Sequence, residues 1–151
     1  YRHRQQIFER DGVLVIDDSY NASPDSMRAA LSILREMKDR RRIAVLGDMK
    51  ELGAEEKELH REIGAALAAA EGADCVLTLG ELAGELAEAF RAHCKAPYSP
   101  ELGCFSEREE LFEVLKEKVK PGDAILFKAS NSMKFSELAD YFSGQGERGA
   151  H

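Results

Sequence analysis

The sequence predicts an α/β fold with a mostly parallel sheet and helices on both faces. Short apolar runs rich in β-branched residues alternate with segments of helical period along the chain. Each apolar run ends at a polar or glycine-containing turn, which is typical of strand–helix–strand units. An Asp11-Gly12 pair near the start indicates a hairpin, and therefore one antiparallel N-terminal strand. The expected architecture is a doubly wound, Rossmann-like sheet with right-handed crossovers.

The first part of the chain provides the hairpin and the first helix. Residues 2–9 are predicted as the antiparallel strand, and residues 13–16 as the first buried strand. Ser23 is suited to be the N-cap of the next helix, with Pro24 as the first helical residue.

The middle of the chain repeats the strand–helix alternation. Residues 43–46 and 75–79 are predicted as buried strands, and residues 55–70 as a helix between them. The apolar positions of that helix predict its buried face as Leu59, Ile63, Ala66, Leu67 and Ala70.

The last part of the chain is predicted to complete the sheet. Residues 103–105 form a short strand, Ser106 caps the helix that follows, and residues 124–127 are the last buried strand. A final helix buries Phe135, Leu138, Ala139 and Phe142. Residues 1–143 are therefore expected to form one domain, and residues 144–151 a disordered tail.

Composition narrows the class of protein. With 151 residues, 44% hydrophobic residues and 32% charged residues, the chain is long and apolar enough for a core. A net charge of -7 argues against a nucleic-acid partner. No apolar run is long enough to span a membrane, and no signal peptide is expected.

Cysteine and histidine usage points to a reduced protein without a metal site. Three widely spaced cysteines are typical of free thiols in a cytoplasmic protein, with Cys75 as a small core residue. No cysteine–histidine spacing fits zinc. His60 and His93 lie in predicted helices and are expected at the surface or the edge of the core.

Polar side chains collect after three of the predicted strands, which places them on one rim of the sheet. They are Asp17 to Ser23 after the first buried strand, Gly47, Asp48 and Lys50 after the second, and Lys128, Ser130, Asn131 and Ser132 after the last. Carboxylates, hydroxyls, amides and a lysine together can hold a ribose, a phosphate or a zwitterionic amino acid.

Each of these clusters also has a purely structural interpretation. Asp17 and Ser23 can equally well satisfy the backbone of their own turn, and Asp48 can cap a turn. Lys128 is expected to have a partner, because a lysine beside a buried strand is seldom left alone. The chain has no G-x-x-x-x-G-K-[ST] or G-x-S-x-G motif, and no G-x-G-x-x-G fingerprint between a predicted strand and the helix after it, and so lacks a phosphate cradle of its own for ATP.

Three segments resemble, in the same order, signatures of the C-terminal domain of the MurF group of Mur ligases. They are residues 17–27, 45–53 and 128–134. The family usually has Asn at the position of Ser23 and Gly at the position of Ala129. Ser is an equally good N-cap, whereas Ala129 restricts the backbone beside Lys128.

The resemblance implies an ATP-dependent C–N ligase of peptidoglycan precursor synthesis. Such enzymes join D-Ala-D-Ala to UDP-N-acetylmuramoyl-tripeptide through an acyl phosphate. An N-terminal domain holds the UDP-sugar, and a central domain holds ATP and Mg²⁺ on a P-loop. The resemblance implies that neither domain lies in these 151 residues, and that both would be partners of this one.

The resemblance also assigns roles to the rim residues, none of them catalytic and none of them a metal ligand. Asp18, Tyr20 and Asn21 resemble the residues that meet the ribose and adenine of ATP. Lys128, Ser130 and Asn131 resemble the loop near the incoming dipeptide. Asp48, which the resemblance also assigns to substrate binding, lies near both the nucleotide and the dipeptide.

Two interpretations from other classes stay open at this stage. Paired acids after the first buried strand and a lysine after the last are also typical of response-regulator receiver domains. A receiver needs an aspartate after its third strand, where this chain has Leu79-Gly80. The second alternative is a stand-alone nucleotide-binding module.

Overall fold

A computed structural model describes residues 5–144 and contains a six-stranded sheet with helices on both faces. The strands are β1 (Gln6–Arg10), β2 (Val13–Asp17), β3 (Arg41–Gly47), β4 (Cys75–Leu79), β5 (Glu101–Phe105) and β6 (Asp123–Lys128). The helices are α1 (Pro24–Arg35), α2 (Glu56–Ala70), α3 (Glu81–His93), α4 (Arg108–Lys118) and α5 (Phe135–Ser143). The strand order is β1-β2-β6-β3-β4-β5, and only the β1–β2 pair is antiparallel. The predicted fold class is therefore confirmed.

The N-terminal hairpin turns at Asp11-Gly12, as the sequence predicts. Both residues have positive φ, 54° and 81°, which a two-residue hairpin turn requires. Strand β1 pairs only with β2 and lies at the edge of the sheet. The predicted strand began at residue 2, but residues 1–4 lie outside the part of the chain that the structure describes.

The sheet separates two hydrophobic cores. One is formed with α1, α2 and α3, and contains Met27, Leu34, Ile63, Leu86 and Phe90 against Ile16, Leu46 and Leu126. The other is formed with α4 and α5, and contains Leu111, Leu115, Phe135 and Leu138 against Val15, Val45 and Phe127. Cys75 is buried in β4, and burial raises the pKa of its thiol to about 11, so the thiol stays protonated at neutral pH.

The path of the chain sends the loops at the carboxyl ends of three adjacent strands to opposite faces of the sheet. The loops after β2 and β3 lead to α1 and α2 on one face of the sheet. The loop after β6, which lies between β2 and β3, leads to α5 on the opposite face. Loops that diverge to opposite faces leave room between them, which is where open α/β sheets bind their ligands.

Two local predictions are wrong. Residues Ala66 and Ala70 of α2 are exposed, and its buried residues are His60, Ile63, Gly64, Leu67 and Ala68. The reason is that α2 packs closely on α3 as well as on the sheet, which rotates its buried face. Ser106 does not cap α4, because the helix begins one residue later than predicted and Glu107 occupies the N-cap position without a side-chain bond.

The α2–α3 contact is close because Gly64 has no side chain. A Cβ atom at Gly64 would lie 2.1 Å from the backbone oxygen of Leu86. Gly84, a glycine of α3, has open space where its Cβ would be. Both glycines lie within helices, but a side chain fits at Gly84 and does not fit at Gly64, so the two positions can be compared directly.

We predict that Gly64→Ala lowers the free energy of unfolding by about 1–3 kcal/mol, because the helices must separate to admit a methyl group. Gly84→Ala should raise it by about 0.5–1 kcal/mol, because alanine restricts the unfolded chain and meets nothing in the fold. Urea unfolding of both variants checks this. Equal midpoints for Gly64→Ala and the wild type would contradict the close contact.

Candidate functional site

We define the binding rim as the three loops at the carboxyl ends of β2, β3 and β6. The first loop comprises residues 18–23, the second residues 48–52 and the third residues 129–134. All seven predicted site residues lie on or directly beside these loops. The structure brings them together because β2, β6 and β3 are adjacent and parallel.

Two side chains next to the first loop serve its own backbone. The Asp17 carboxylate accepts hydrogen bonds from the Ser19 backbone N–H at 3.2 Å and from its hydroxyl at 2.5 Å. Ser23 caps α1 and forms a reciprocal capping box with Ser26. The N-cap prediction is confirmed, and the turn-satisfying interpretation holds for Asp17 and Ser23.

Three other side chains of the first loop are more accessible to a ligand. Asp18 is 19% exposed and Tyr20 is 43% exposed, while Asn21 is exposed at the surface. A carboxylate, an aromatic ring and an amide therefore lie within four residues on the outer side of the rim.

Lys128 lies beneath this loop and is only 2% exposed. Its Nζ donates a hydrogen bond to the backbone oxygen of Asn21 at 2.8 Å and lies 3.2 Å from Oδ2 of Asp18. The expectation of a partner for Lys128 is thus confirmed. The buried ammonium group fixes both the Asp18 carboxylate and the turn that carries Asn21.

Asp48 is buried at the start of the second loop. Its Oδ1 accepts a hydrogen bond from the Ala83 backbone N–H at 2.7 Å, within the first turn of α3. Gly80 precedes that helix at φ +114°, and a Cβ there would lie 2.3 Å from Asp48 Oδ1. Asp48 thus supplies the side-chain acceptor that Gly80, the N-cap residue of α3, lacks. The N-terminus of a helix also favours a negative charge such as this carboxylate.

The third loop is attached to the second. The Ser130 backbone N–H donates to the backbone oxygen of Asp48 at 3.0 Å, and the Ser130 hydroxyl lies 3.0 Å from that of Ser132. Ser130 is buried, whereas Asn131 is exposed. Arg108 of α4 holds the far end of this loop by donating to the backbone oxygen of Lys134 at 3.0 Å.

The sequence prediction for His60 is wrong, because this side chain is fully buried in α2 beside the second loop. The helical spacing contained the necessary indication. Ile63, Gly64 and Leu67, which are three, four and seven residues further on, are the buried residues of the same face.

The side chains of the rim are suited to binding a ligand. Its outer side chains can accept hydrogen bonds from hydroxyl groups, stack on a planar ring and bind polar backbone groups. Within residues 5–144 there is no group of three or more His, Cys, Asp or Glu side chains that could hold a metal ion. Within the same residues, no helix combines the length and apolar character needed to cross a membrane.

Comparison with known proteins decides the family. Residues 3–131 match the family described as "Mur ligase, glutamate ligase domain". The chain belongs to the Mur ligase family. It is 36% identical over 137 residues to the UDP-N-acetylmuramoyl-tripeptide–D-alanyl-D-alanine ligase of Bacillus subtilis, a match that covers 89% of this chain and 29% of that protein.

Solved structures of Mur ligases share the fold. A crystal structure of MurF from Acinetobacter baumannii superposes with a TM-score of 0.77 at 26% identity, over 95% of this chain and 30% of that one. MurF from Thermotoga maritima in complex with ADP gives 0.69 at 30% identity, over 95% and 31%. The chain thus spans about three tenths of the length of these relatives.

The receiver-domain alternative is not supported. Across the sheet, the parallel strands lie in the order β2-β6-β3-β4-β5, so the last parallel strand of the chain lies beside the first. If parallel strands are numbered along the chain, this order is 1-5-2-3-4, whereas the order in receiver domains is 2-1-3-4-5. The family match also leaves the stand-alone nucleotide-binding module without support.

The Lys128–Asp18 pair generates a prediction about stability. In a double-mutant cycle of Asp18→Asn and Lys128→Met, we expect a coupling free energy of about 1–3 kcal/mol, because the ammonium group is desolvated. The more accessible pair Lys118–Glu101, whose side chains are 22% and 60% exposed and which has 2.9 Å between Nζ and Oε1, should couple by less than about 1 kcal/mol. Equal coupling in both pairs, measured by urea unfolding, would show that burial adds nothing.

Proposed function

We propose that this chain is the C-terminal domain of an ATP-dependent amide ligase that adds D-Ala-D-Ala to UDP-N-acetylmuramoyl-tripeptide. The proposal places the protein in peptidoglycan precursor synthesis, and in the cytoplasm, where its nucleotide-linked substrates are made. It is supported by membership of the Mur ligase family and by the similarity to ligases named for this reaction. The observation that carries it in the structure is the arrangement of the first rim loop over Lys128.

The first loop is proposed to bind the nucleotide. Asp18 has one carboxylate oxygen held by Lys128, which leaves the other to accept hydrogen bonds from the two hydroxyls of a ribose. Tyr20 is exposed enough to lie against an adenine ring, and the Asn21 amide can bond to its edge. A solved Mur ligase neighbour contains ADP, which supports a nucleotide as the ligand of the family.

The third loop is proposed to meet the dipeptide. Asn131 and the Ser130–Ser132 hydroxyl pair offer donors and acceptors for a peptide with a free amine and a carboxylate. Lys128 and Asp48 are buried and bonded to protein groups, so Lys128 supports the first loop through Asp18 and Asn21, and Asp48 supports the second and third loops. This proposal differs from the sequence-based expectation that these two residues contact the dipeptide themselves.

ATP and Mg²⁺ would be held mainly by a central domain, and the UDP-sugar by an N-terminal domain. ATP supplies the activation, since phosphorylation of the tripeptide carboxylate makes it reactive toward an amine. The rim residues orient the amine and exclude water, which would otherwise hydrolyse the activated carboxylate. Closure of such a domain over its substrates is a common way to achieve both effects.

The isolated 151-residue chain should neither hydrolyse ATP nor form an amide bond, because it contains no P-loop to hold the β- and γ-phosphates. Phosphate release by the purified chain, compared with a heat-inactivated sample, tests this. ATP turnover above that control would contradict the proposed division of labour.

The proposed function is tested in a chimera in which this chain replaces the matched region of the Bacillus subtilis ligase. We expect amide formation that requires both ATP and D-Ala-D-Ala. Asp18→Ala should raise KM for ATP about tenfold to a hundredfold, since a charge-assisted hydrogen bond is worth about 1.5–3 kcal/mol. Lys128→Met should raise the same KM, because it releases Asp18, whereas Asn131→Ala should raise KM for D-Ala-D-Ala.

Glu117→Ala provides the control, since Glu117 is an exposed carboxylate on α4 and lies outside the rim. It should leave both KM values unchanged. A folded chimera that binds ATP but forms no amide, while the parent ligase does, would overturn the proposed function.

A further inference from the structure

His60 is the one fully buried histidine among the described residues, and both of its ring nitrogens are bonded. Its Nδ1 lies 2.7 Å from the backbone oxygen of Glu56, one helical turn earlier. Its Nε2 lies 2.9 Å from the backbone nitrogen of Met49, on the second rim loop. A carbonyl can only accept and a backbone N–H can only donate, so the ring must be neutral, with its proton on Nδ1.

We infer that His60 is a positioning residue of the binding rim, which holds the second loop in place and through it the third. For its effect on catalysis the inference rests on the proposed function, whereas its effect on the loops can be measured without it. Nothing in the sequence resemblance gives His60 this role.

His60 fixes the backbone of the second loop. The Met49 side chain is fully buried in the core, so the peptide group that joins Asp48 to Met49 is anchored on one side by packing. The hydrogen bond to His60 fixes the orientation of the same peptide group. A buried N–H that lost this acceptor would bear its full cost of desolvation.

The same peptide group is also connected to the third loop. The Asp48 carbonyl belongs to the peptide unit whose N–H is that of Met49, and it accepts the hydrogen bond from Ser130. The two bonds leave opposite sides of one rigid, planar group. If the His60 bond is lost and this peptide group rotates, the Asp48 carbonyl also turns away from the Ser130 N–H. The third loop then loses a hydrogen bond next to the proposed dipeptide contacts.

His93 of α3 provides a natural comparison. Its Nδ1 lies 2.8 Å from the backbone oxygen of Ala89, the same contact one turn back that His60 makes. His93 is exposed, however, and is not on the rim. Both histidines therefore make the contact within their helix, but His60 also accepts a hydrogen bond from a rim loop. A variant of His93 controls for loss of the contact within the helix.

The test compares His60→Leu, His60→Gln and His93→Leu by amide hydrogen exchange and by NMR of the ring nitrogens. In the wild type, the ¹⁵N spectrum should show His60 protonated on Nδ1 and a scalar coupling between its Nε2 and the Met49 amide nitrogen. His60→Leu should speed exchange at Met49 and Ser130 by about tenfold or more, with little change at Val45 in the centre of the sheet.

The glutamine variant tests whether the acceptor is what matters. The Oε1 of Gln can lie close to the position of Nε2 and accept from Met49, so His60→Gln should restore most of the protection at Met49 and Ser130. His93→Leu should change exchange at neither amide. In the chimeric ligase, His60→Leu should raise KM for D-Ala-D-Ala more than it lowers kcat, and His60→Gln should recover it.

Several outcomes would overturn the inference. Exchange that rises uniformly across the sheet would make His60 a packing residue only, and unchanged exchange at Ser130 would break the proposed link. If His60→Leu did not fold, absence of the scalar coupling in the wild type would still refute the bond. An inactive chimera with the expected exchange pattern would count against the proposed function and not against the positioning role.

Discussion

The rim depends on one buried ammonium group. Transfer of a lysine charge from water into a protein interior costs several kcal/mol unless the charge is paired and its donors are satisfied. At the end of β6, the partners of Lys128 are the Asp18 carboxylate and the Asn21 carbonyl, the latter 107 residues away in sequence. The first loop therefore folds over Lys128, with Asp18 partly exposed and Tyr20 exposed at the surface.

The topology of the sheet brings these groups together. The last strand inserts between β2 and β3, so that the loops formed early in the chain flank the loop formed last. The backbone N–H of Asp18 also donates to the carbonyl of Phe127, which extends the β2–β6 ladder into the loop. On the other side, Ser130 bonds to the Asp48 carbonyl and so joins the third loop to the second. The rim is one hydrogen-bonded unit.

Much of the fold could be predicted from local sequence. Apolar runs located the buried strands, Asp11-Gly12 indicated the hairpin, and Ser23-Pro24 marked the start of α1, because each of these is decided by residues close in sequence. The exposure of Ala66 and Ala70 in α2 could not be predicted from the helical period, since the approach of α3 at Gly64 determines which side of the helix is covered. Polar residues after parallel strands correctly indicated the rim.

The roles within the rim required three-dimensional contacts. Asp48 caps a helix that begins 33 residues later in the chain, and the glycine that makes room for it precedes that helix. The contacts of Lys128 depend on the loop that folds over it, and a local pattern does not contain that information. The sequence could therefore locate the polar clusters, but not distinguish side chains that face a ligand from those that support the loops.

Direct NMR observation of the Lys128 ammonium group tests the central claim, that this group holds the first rim loop. We predict a slowly exchanging Nζ resonance with a scalar coupling to the side-chain carboxylate carbon of Asp18, and this coupling should disappear in Asp18→Asn. A rapidly exchanging Nζ resonance without that coupling, like those of the exposed lysines, would contradict it.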